Sequence, residues 1–130
     1  MMTPLLPEGW PRPKGYSNGI EVDAGKFVFI AGVIGWDSQE VFKSDDIVDQ
    51  FRQVLVNTKA IMAEGGARPE HMVRMTWYIT DKKEYLSKLR EIGAAYREVM
   101  GKNYPTMACV QVTALMEDRA KIEIETTCVL

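Results

Sequence analysis

The sequence predicts a two-layer α+β domain in which two helices cover one face of a mixed β-sheet. Three observations support this fold class. Several short stretches alternate between apolar and polar residues or are continuously apolar, as strands are. Two longer stretches repeat apolar residues at steps of three and four, as helices do. The stretches follow one another in the order β-β-α-β-α-β-β, in which strands and helices alternate along the middle of the chain.

Length and composition describe an ordinary globular domain and argue against several classes of function. The chain has 130 residues, which is enough for one domain with its own core, and 26% of them are charged. A formal net charge of −2 gives no basic surface for nucleic acid or for an anionic membrane. No apolar run approaches the ~20 residues of a membrane-spanning helix, and the N-terminus lacks the features of a signal peptide. We therefore expect a cytoplasmic protein without a nucleic-acid or membrane partner.

The cysteines and the histidine predict neither a disulfide nor a metal site. Cys109 and Cys128 fall within predicted strands, where we expect small buried thiols rather than a cross-link. The chain has one histidine, His71, and no Cys-x-x-Cys pair, so the common metal-ligand patterns are missing. We expect no metal and no cofactor, and we expect His71 to face solvent from a loop.

The N-terminal part of the chain predicts an arm followed by two strands. Residues 1–15 are rich in proline and predict an irregular surface arm, so that the single domain spans residues 16–130. Residues 16–22 predict a short edge strand. A hairpin turn at residues 23–26 would join it to the continuously apolar strand at residues 27–31.

Glycines and capping residues mark the next boundaries. Gly32 and Gly35 lie close to a strand end and predict a bulge or a close approach of two backbones. Ser44 predicts the N-cap of a helix over residues 45–64, which the glycine pair that follows it would end.

The C-terminal part predicts one more helix and three strands. Residues 72–80 alternate and predict a strand, after which Asp81 and Glu84 form the capping-box pattern that starts the second helix. Residues 104–114 and 121–125 predict two neighbouring strands joined by a short charged turn.

The second face of the sheet must meet water or a partner, since both helices would cover the first. Candidate residues for this open face are Met75, Trp77 or Tyr78, Met107 and Cys109. Because they are apolar for a wet surface, we expect an oligomer that buries them.

Glu123 and Glu125 are the strongest candidates for chemistry. They share one face of the last strand, with isoleucines on the opposite face. Two carboxylates on a strand are either a solvated face or the lining of a polar cleft, and the residues alone leave both interpretations open. In a cleft, an apolar wall of Met107 and Cys109 would raise a carboxyl pKa and produce a general acid or base.

Other candidates have both a structural and a functional interpretation. The backbone at residues 32–35 could bind a carboxylate, although its glycine spacing is not that of a dinucleotide loop. Tyr16 and Trp36 either pack against neighbours or form a pocket wall. Arg74 and Arg119 either form surface ion pairs or clamp a ligand carboxylate.

Several stretches resemble the YjgF/RidA family of reactive intermediate deaminases, which also carries the older label endoribonuclease L-PSP. They are GYSNGI at residues 15–20, FVFIAGVIG at 27–35, QFRQVLVNTKAI at 50–61, MVRMTWYITD at 72–81, and the segment 104–125 with its Tyr-Pro start and Glu-Ile-Glu end. Each match is weak alone. Together they follow the family's order and cover nearly everything from residue 15 to the C-terminus.

The resemblance implies a chorismate-mutase-like fold and a homotrimer with three ligand clefts between its subunits. It also implies a reaction, the hydrolysis of reactive enamines or imines to ketones and ammonia. In the active members an arginine grips the substrate carboxylate, a glutamate positions or activates water, and a tyrosine and the backbone of a Ser-Gly pair line the pocket. The matching positions in this chain are Tyr16, Ala31, Gly32, Met107 and Glu123, and Trp36 and Cys109 are further candidates for the pocket wall.

This chain departs from the family pattern at the arginine position, where it has Met107, and at the serine position, where it has Ala31. Methionine cannot form a bidentate contact with a carboxylate. We therefore predict a hydrolase that uses Glu123 on a larger or less acidic substrate. The same departure favours a second hypothesis, a ligand-binding or chaperone-like trimer without catalysis. A third hypothesis, RNA cleavage, has little support because the chain has no basic aromatic stripe.

Overall fold

The computed structural model describes residues 2–23 and 25–130 and confirms the α+β fold class. Met1 and Ala24 lie outside the described residues, so the predicted arm and the predicted turn at residues 23–26 are described only in part. The strands of the described part are β1 (Met2–Leu5), β2 (Gly19–Val22), β3 (Phe27–Ile34), β4 (Met72–Ile79), β5 (Thr106–Gln111) and β6 (Ile122–Val129). Its α-helices are α1 (Ile47–Glu64), α2 (Lys82–Ser87) and α3 (Leu89–Met100), and a 3₁₀ turn at Pro69–His71 leads into β4.

Four strands form one mixed sheet in the order β3-β6-β4-β5. Strand β6 runs antiparallel to β3 and β4, whereas β4 and β5 are parallel. The expectation that the last two strands are neighbours is wrong, because β4 lies between β5 and β6. The chain between them therefore crosses one strand instead of closing a hairpin.

The helices pack on one face of this sheet and enclose the hydrophobic core. The Phe51 ring of α1 meets the Trp77 indole of β4 with ring centroids 5.0 Å apart, and Phe51 is fully buried. Met75 is also fully buried, and Met107 and Cys109 pack against the same core from β5. Met75, Trp77, Met107 and Cys109 thus belong to the covered face, and their predicted place on the open face is wrong.

The open face carries other large apolar side chains. Phe27 and Phe29 of β3 are 53% and 74% exposed, and Val110 of β5 is 44% exposed. Glu123 shares this face, because its cross-strand partner Tyr78 pairs in turn with Val110. The expected apolar surface is therefore present, but Tyr78 is the one predicted candidate that lies on it and the other residues are different.

The first helix ends as predicted but begins later. Its N-cap is Asp46, whose carboxylate accepts a hydrogen bond from the Asp49 N–H at 3.0 Å. Ser44 lies two residues before this cap, where its hydroxyl accepts from the Asp46 N–H at 3.0 Å. The second predicted helix starts at the cap Asp81 but is divided into α2 and α3 at Lys88, whose backbone is not helical.

The N-terminal segment differs from the prediction in two ways. Residues 2–5 form strand β1, so the proline-rich arm is not irregular throughout. Strand β2 pairs with β1 in a separate two-stranded sheet instead of with β3. Ser17 anchors this ribbon near the start of β5, since its N–H donates to the Pro105 carbonyl at 3.1 Å and its hydroxyl to the Tyr104 carbonyl at 2.5 Å.

A β-bulge interrupts β3, as its glycines predict. Ile30 pairs with Thr126, and Val33 pairs with Ile124, so Ala31 and Gly32 together oppose one residue of β6. Gly35 then passes so close to α1 that an added Cβ would lie 2.7 Å from the Gln50 Cβ.

No helix in residues 2–23 and 25–130 combines the length and apolar character that crossing a membrane requires.

Candidate functional site

A groove beside the bulge brings together three of the predicted site residues. Glu123, Gly32 and Trp36 all line it, and its volume is about 640 Å³. The groove runs between the end of β3, the middle of α1 and the loop before β6. Its apolar wall includes Ile61 and Met116, which are 45% and 91% exposed.

The Glu123 side chain lies directly over the backbone of Gly32. A Cβ added at Gly32 would stand 2.2 Å from the Glu123 Oε2 and 2.9 Å from its Cδ. Only a residue without a side chain leaves this space open. The bulge and the glycine therefore leave room for the half-buried Glu123 side chain to lie against the backbone of β3 and line the groove.

Asn57 of α1 holds the groove's floor in place, a role that the sequence analysis did not assign. Its Nδ2 donates to the Trp36 carbonyl at 2.6 Å, and its Oδ1 accepts from the Gln53 side chain at 2.8 Å. These bonds fix the backbone that follows β3 and orient Trp36, whose ring packs on Phe42 with centroids 5.8 Å apart. The motif at residues 50–61, which contains Asn57, was the sequence signal that could have indicated this role.

Asp37 contributes a second fixed charge to the groove. Its Oδ1 accepts hydrogen bonds from the backbone N–H groups of Gln39 at 2.8 Å and Val41 at 3.1 Å. These donors hold the pKa of the Asp37 carboxyl below its ordinary value, and Lys43 at 3.6 Å lowers it further. Asp37 is therefore ionised throughout the physiological pH range.

Glu125 has a different environment from Glu123. Its Oε1 accepts a hydrogen bond from the Tyr78 hydroxyl at 2.8 Å, and this bond raises the pKa of Tyr78. It lines a neighbouring groove of about 460 Å³ together with Arg74 and the predicted site residue Ala31. The two carboxylates of β6 thus line different grooves, Glu123 the one beside Trp36 and Glu125 the one beside Arg74.

The remaining predicted site residues lie elsewhere in the subunit. Tyr16 is 40% exposed and lines a third groove of about 440 Å³ at the start of β5. Met107 and Cys109 face the helices, so they cannot form an apolar wall beside Glu123, and that prediction is wrong. Burial raises the pKa of the Cys109 thiol.

Arg74 and Arg119, the two candidate clamps for a ligand carboxylate, do not line the groove of Glu123. Arg119 binds Asp45 with an Nε to Oδ1 distance of 2.9 Å and lies over the Phe42 ring at 5.5 Å. His71 closes the 3₁₀ turn, where its Nδ1 accepts from the Arg68 N–H at 2.9 Å. Within the described residues, no group of three or more His, Cys, Asp or Glu side chains is placed to hold a metal ion.

Comparison with known proteins gives a consistent picture. The profile of a family described as endoribonuclease L-PSP matches residues 11–130. Among curated proteins, a RutC family protein of Pyrococcus horikoshii is 39% identical over 93% of this chain and 92% of its own length. TdcF of Escherichia coli, named for reactive intermediate deaminases, is 36% identical over 80% of this chain and 79% of its own.

Solved structures agree with the sequence comparisons. The Rid family protein YyfB of Yersinia pestis superposes with a TM-score of 0.84 at 28% identity, covering 99% of this chain and 98% of its own. The structure of Escherichia coli TdcF with bound serine superposes with a TM-score of 0.70 at 34% identity, covering 92% of this chain and 91% of its own.

Proposed function

Because the chain belongs to the endoribonuclease L-PSP family, which has relatives named for reactive intermediate deaminases, we propose that it hydrolyses a small reactive imine or enamine. The products are a carbonyl compound and ammonia. The observation that carries the proposal is the Glu123 carboxylate, which lies over Gly32 in the wall of the groove beside Trp36. The resemblance to the family assigns the water-activating role to this position.

Glu123 acts as the general base and then as the general acid. It takes a proton from a water molecule as the water oxygen adds to the imine carbon, which gives a carbinolamine. It returns that proton to the nitrogen, the C–N bond breaks and ammonia leaves. The hydroxyl proton of the protonated carbonyl then passes to the ammonia, which leaves the carbonyl compound and an ammonium ion. A protonated imine and water thereby become a carbonyl compound and an ammonium ion, with no oxidant or cofactor.

The cleft is completed by a second subunit in a cytoplasmic homotrimer. Tyr16 and Met107 lie at the β5 side of the sheet, whereas Glu123 and Gly32 lie at the β3 side. Among the described residues, edge strand β3 has no outer partner, and edge strand β5 has one only at its start, where Ser17 bridges to Thr106. If the β3 side of each copy meets the β5 side of the next, the ring closes after a few copies and Phe29 loses its exposure. Tyr16 of the next copy then contacts substrate across this seam, whereas Met107 faces the helices of its own subunit and Ala31 lines the neighbouring groove.

The catalytic role of Glu123 is tested with Glu123→Gln and a matched control on the same strand. We expect ammonia release from imines generated in situ to fall at least about 100-fold in Glu123→Gln, the usual contribution of a general base. Glu125→Gln removes a carboxylate from the same face and should leave the rate within about twofold, because Glu125 lines another groove. Equal rates in the wild type and Glu123→Gln would reject the proposal.

The shared cleft is tested by mixing two defective variants. Tyr16→Ala and Glu123→Gln subunits, refolded together in equal amounts, leave about one cleft in four with both residues intact if neighbours share each cleft. We expect the mixture to recover about a quarter of wild-type activity, while each variant alone stays inactive. Absent recovery although the mixed trimers form would reject a cleft shared between neighbours, and a Tyr16→Ala protein that stays active would place Tyr16 outside the site.

Met107 favours one alternative, a trimer that binds ligands in the same groove without turning them over. In that case, ligands that raise the melting temperature would be recovered unchanged after incubation. RNA cleavage, which the family label names, has less support because carboxylates line the groove and repel phosphates. Intact RNA after incubation with nuclease-free protein would exclude it.

A further inference from the structure

The charges around the groove of Glu123 are all of one sign. Its lining residues include the carboxylates of Asp37, Glu40, Glu117 and Glu123, and no lysine or arginine among the described residues lines it. One nearby cation, Lys43, lies 3.6 Å from Asp37, but its side chain is 75% exposed and offsets only one of the four charges. The groove therefore has a net negative potential.

Two other cations near this side of the subunit lie outside the groove. Arg119 pairs with Asp45 and covers Phe42, and Arg74 lines the adjacent groove with Glu125. The strand that a second copy would bring to the cleft, β5, carries no charged residue between Thr106 and Gln111. Strand β5 itself therefore adds apolar and polar uncharged groups, and the cations of a second copy that lie nearest are Arg12 and Lys102, which line the groove of Tyr16 together with Glu70.

The uncharged part of the groove suits an apolar body with a positive end. The Trp36 indole is half-buried and lines the groove, and aromatic rings attract cations over their faces. Ile61 and Met116 extend the apolar wall toward solvent. An imine is a cation when its nitrogen is protonated, and in that form water adds to its carbon most readily.

We infer that the groove selects imines that bind as cations and carry no carboxylate, such as those formed by oxidation of simple amines. This inference names the substrate class of the proposed site and rests on the proposed function. A ligand carboxylate would meet four like charges with no arginine to pair with. A protonated imine nitrogen instead meets Glu123, which is also the group that must return a proton to it.

Two imines that differ only by a carboxylate provide the test. An amine oxidase acting on 2-phenylethylamine and an amino-acid oxidase acting on phenylalanine generate them in situ, and ammonia release is followed with and without the protein. We expect the acceleration of the carboxylate-free imine to exceed that of the other by at least about tenfold. Equal acceleration, or a preference for the carboxylated imine, would overturn the inference while the proposed hydrolysis stands.

Charge-reversal variants show whether the groove is responsible. Glu117→Lys should reduce the preference severalfold, mainly through KM, whereas Glu21→Lys on β2 provides a matched control that should leave it unchanged. Arg12 and Lys102 line the third groove beside Tyr16 and are the rival source of selectivity. If the carboxylated imine is preferred and Arg12→Gln or Lys102→Gln removes that preference, the inference is wrong.

A binding measurement separates selectivity from catalysis. Calorimetric titration of 2-phenylethylammonium and of 3-phenylpropanoate compares two ligands of similar shape and opposite charge. Binding of the ammonium ion alone, with neither imine hydrolysed, would reject the proposed hydrolysis and keep the selectivity. Tighter binding of the carboxylate would reject the selectivity whatever the rates are.

Discussion

Replacing Gly32 with alanine should disable the groove without unfolding the protein. The new Cβ would stand 2.2 Å from the Glu123 Oε2, about 1.2 Å short of ordinary contact at 3.4 Å. The carboxylate must therefore move by roughly 1 Å, and a catalytic group displaced this far costs on the order of 100-fold in rate. Ammonia release from imines generated in situ measures this loss.

The stability of the same variant should hardly change, because the obstructing atoms are the far end of one flexible side chain. The backbone of Gly32 is not in the left-handed region, and alanine in a strand loses less conformational freedom than glycine on folding. We expect the free energy of unfolding in urea to stay within about 1 kcal/mol of the wild type. Gly19→Ala, whose Cβ would meet Leu5 at an ordinary 3.4 Å, is the control for an alanine on a strand outside the groove.

A double-mutant cycle shows whether Gly32→Ala lowers the rate by displacing Glu123. In the Glu123→Gln background, Gly32→Ala should cause little further loss, since it acts by displacing that one side chain. Unchanged turnover in a folded Gly32→Ala protein would refute the reasoning. A further 100-fold loss in the double variant would show instead that Gly32 contacts substrate directly.

Three other substitutions test the packing around the site. Gly35→Ala should lower the unfolding free energy by at least about 2 kcal/mol in urea titrations, because its Cβ would lie 2.7 to 2.8 Å from the Gln50 Cβ and backbone in a rigid helix; unchanged stability would contradict the close approach. Asn57→Ala removes the donor to the Trp36 carbonyl and should cost about 1–2 kcal/mol of stability and raise KM severalfold. An unchanged KM would show that the position of Trp36 does not affect substrate binding. Burial raises the pKa of the Cys128 thiol from 9.0 to about 11. The stabilisation from this thiol is therefore present below pH 9 and lost as the pH rises through 11. Between pH 8 and 10.5 the unfolding free energy of the wild type should fall by on the order of 1 kcal/mol more than that of Cys128→Ala, and equal falls would contradict the raised pKa.

The elements of the fold could be predicted from the sequence because their signals are local. The apolar repeat through Phe51 and Leu55 faces the core in α1, and Asp81 caps α2 at the position that its pattern indicates. The N-cap of α1 could not be chosen between Ser44 and Asp46 by type, because both can accept from a backbone N–H. Side-chain hydrogen bonds decide it, since the Gln50 amide donates to the Ser44 carbonyl at 3.1 Å, which holds Ser44 outside the helix, and also to the distant Arg119 carbonyl at 2.9 Å.

The order of the strands and the sheet face that the helices cover were harder to predict, because both depend on contacts between distant parts of the chain. Alternation places Met107 and Cys109 on one face of β5, but it does not state which face the helices cover. The pairing of Met75 with Met107 in parallel strands decides it, and this pairing requires β5 to lie beside β4 instead of β6. The groove was only partly predictable for the same reason, since Asp37, Asn57, Ile61 and Glu123 meet through tertiary packing.

The bulge in β3 links the core to the groove, and this is why both depend on the same two residues. In a regular strand, alternation would place Ile30 and Val33 on opposite faces, yet both are buried against the helices. The extra residue at Ala31 and Gly32 returns Val33 to the core and leaves two consecutive positions on the open side. One of those positions is the glycine over which Glu123 lies, so the irregularity that completes the core also clears the space for the carboxylate. Deleting Ala31 would place Ile30 and Val33 two residues apart, so ordinary alternation should keep both on the core face and Gly32 on the open face. We therefore expect little loss of unfolding free energy in urea, and a large loss would show that the bulge itself supports the core.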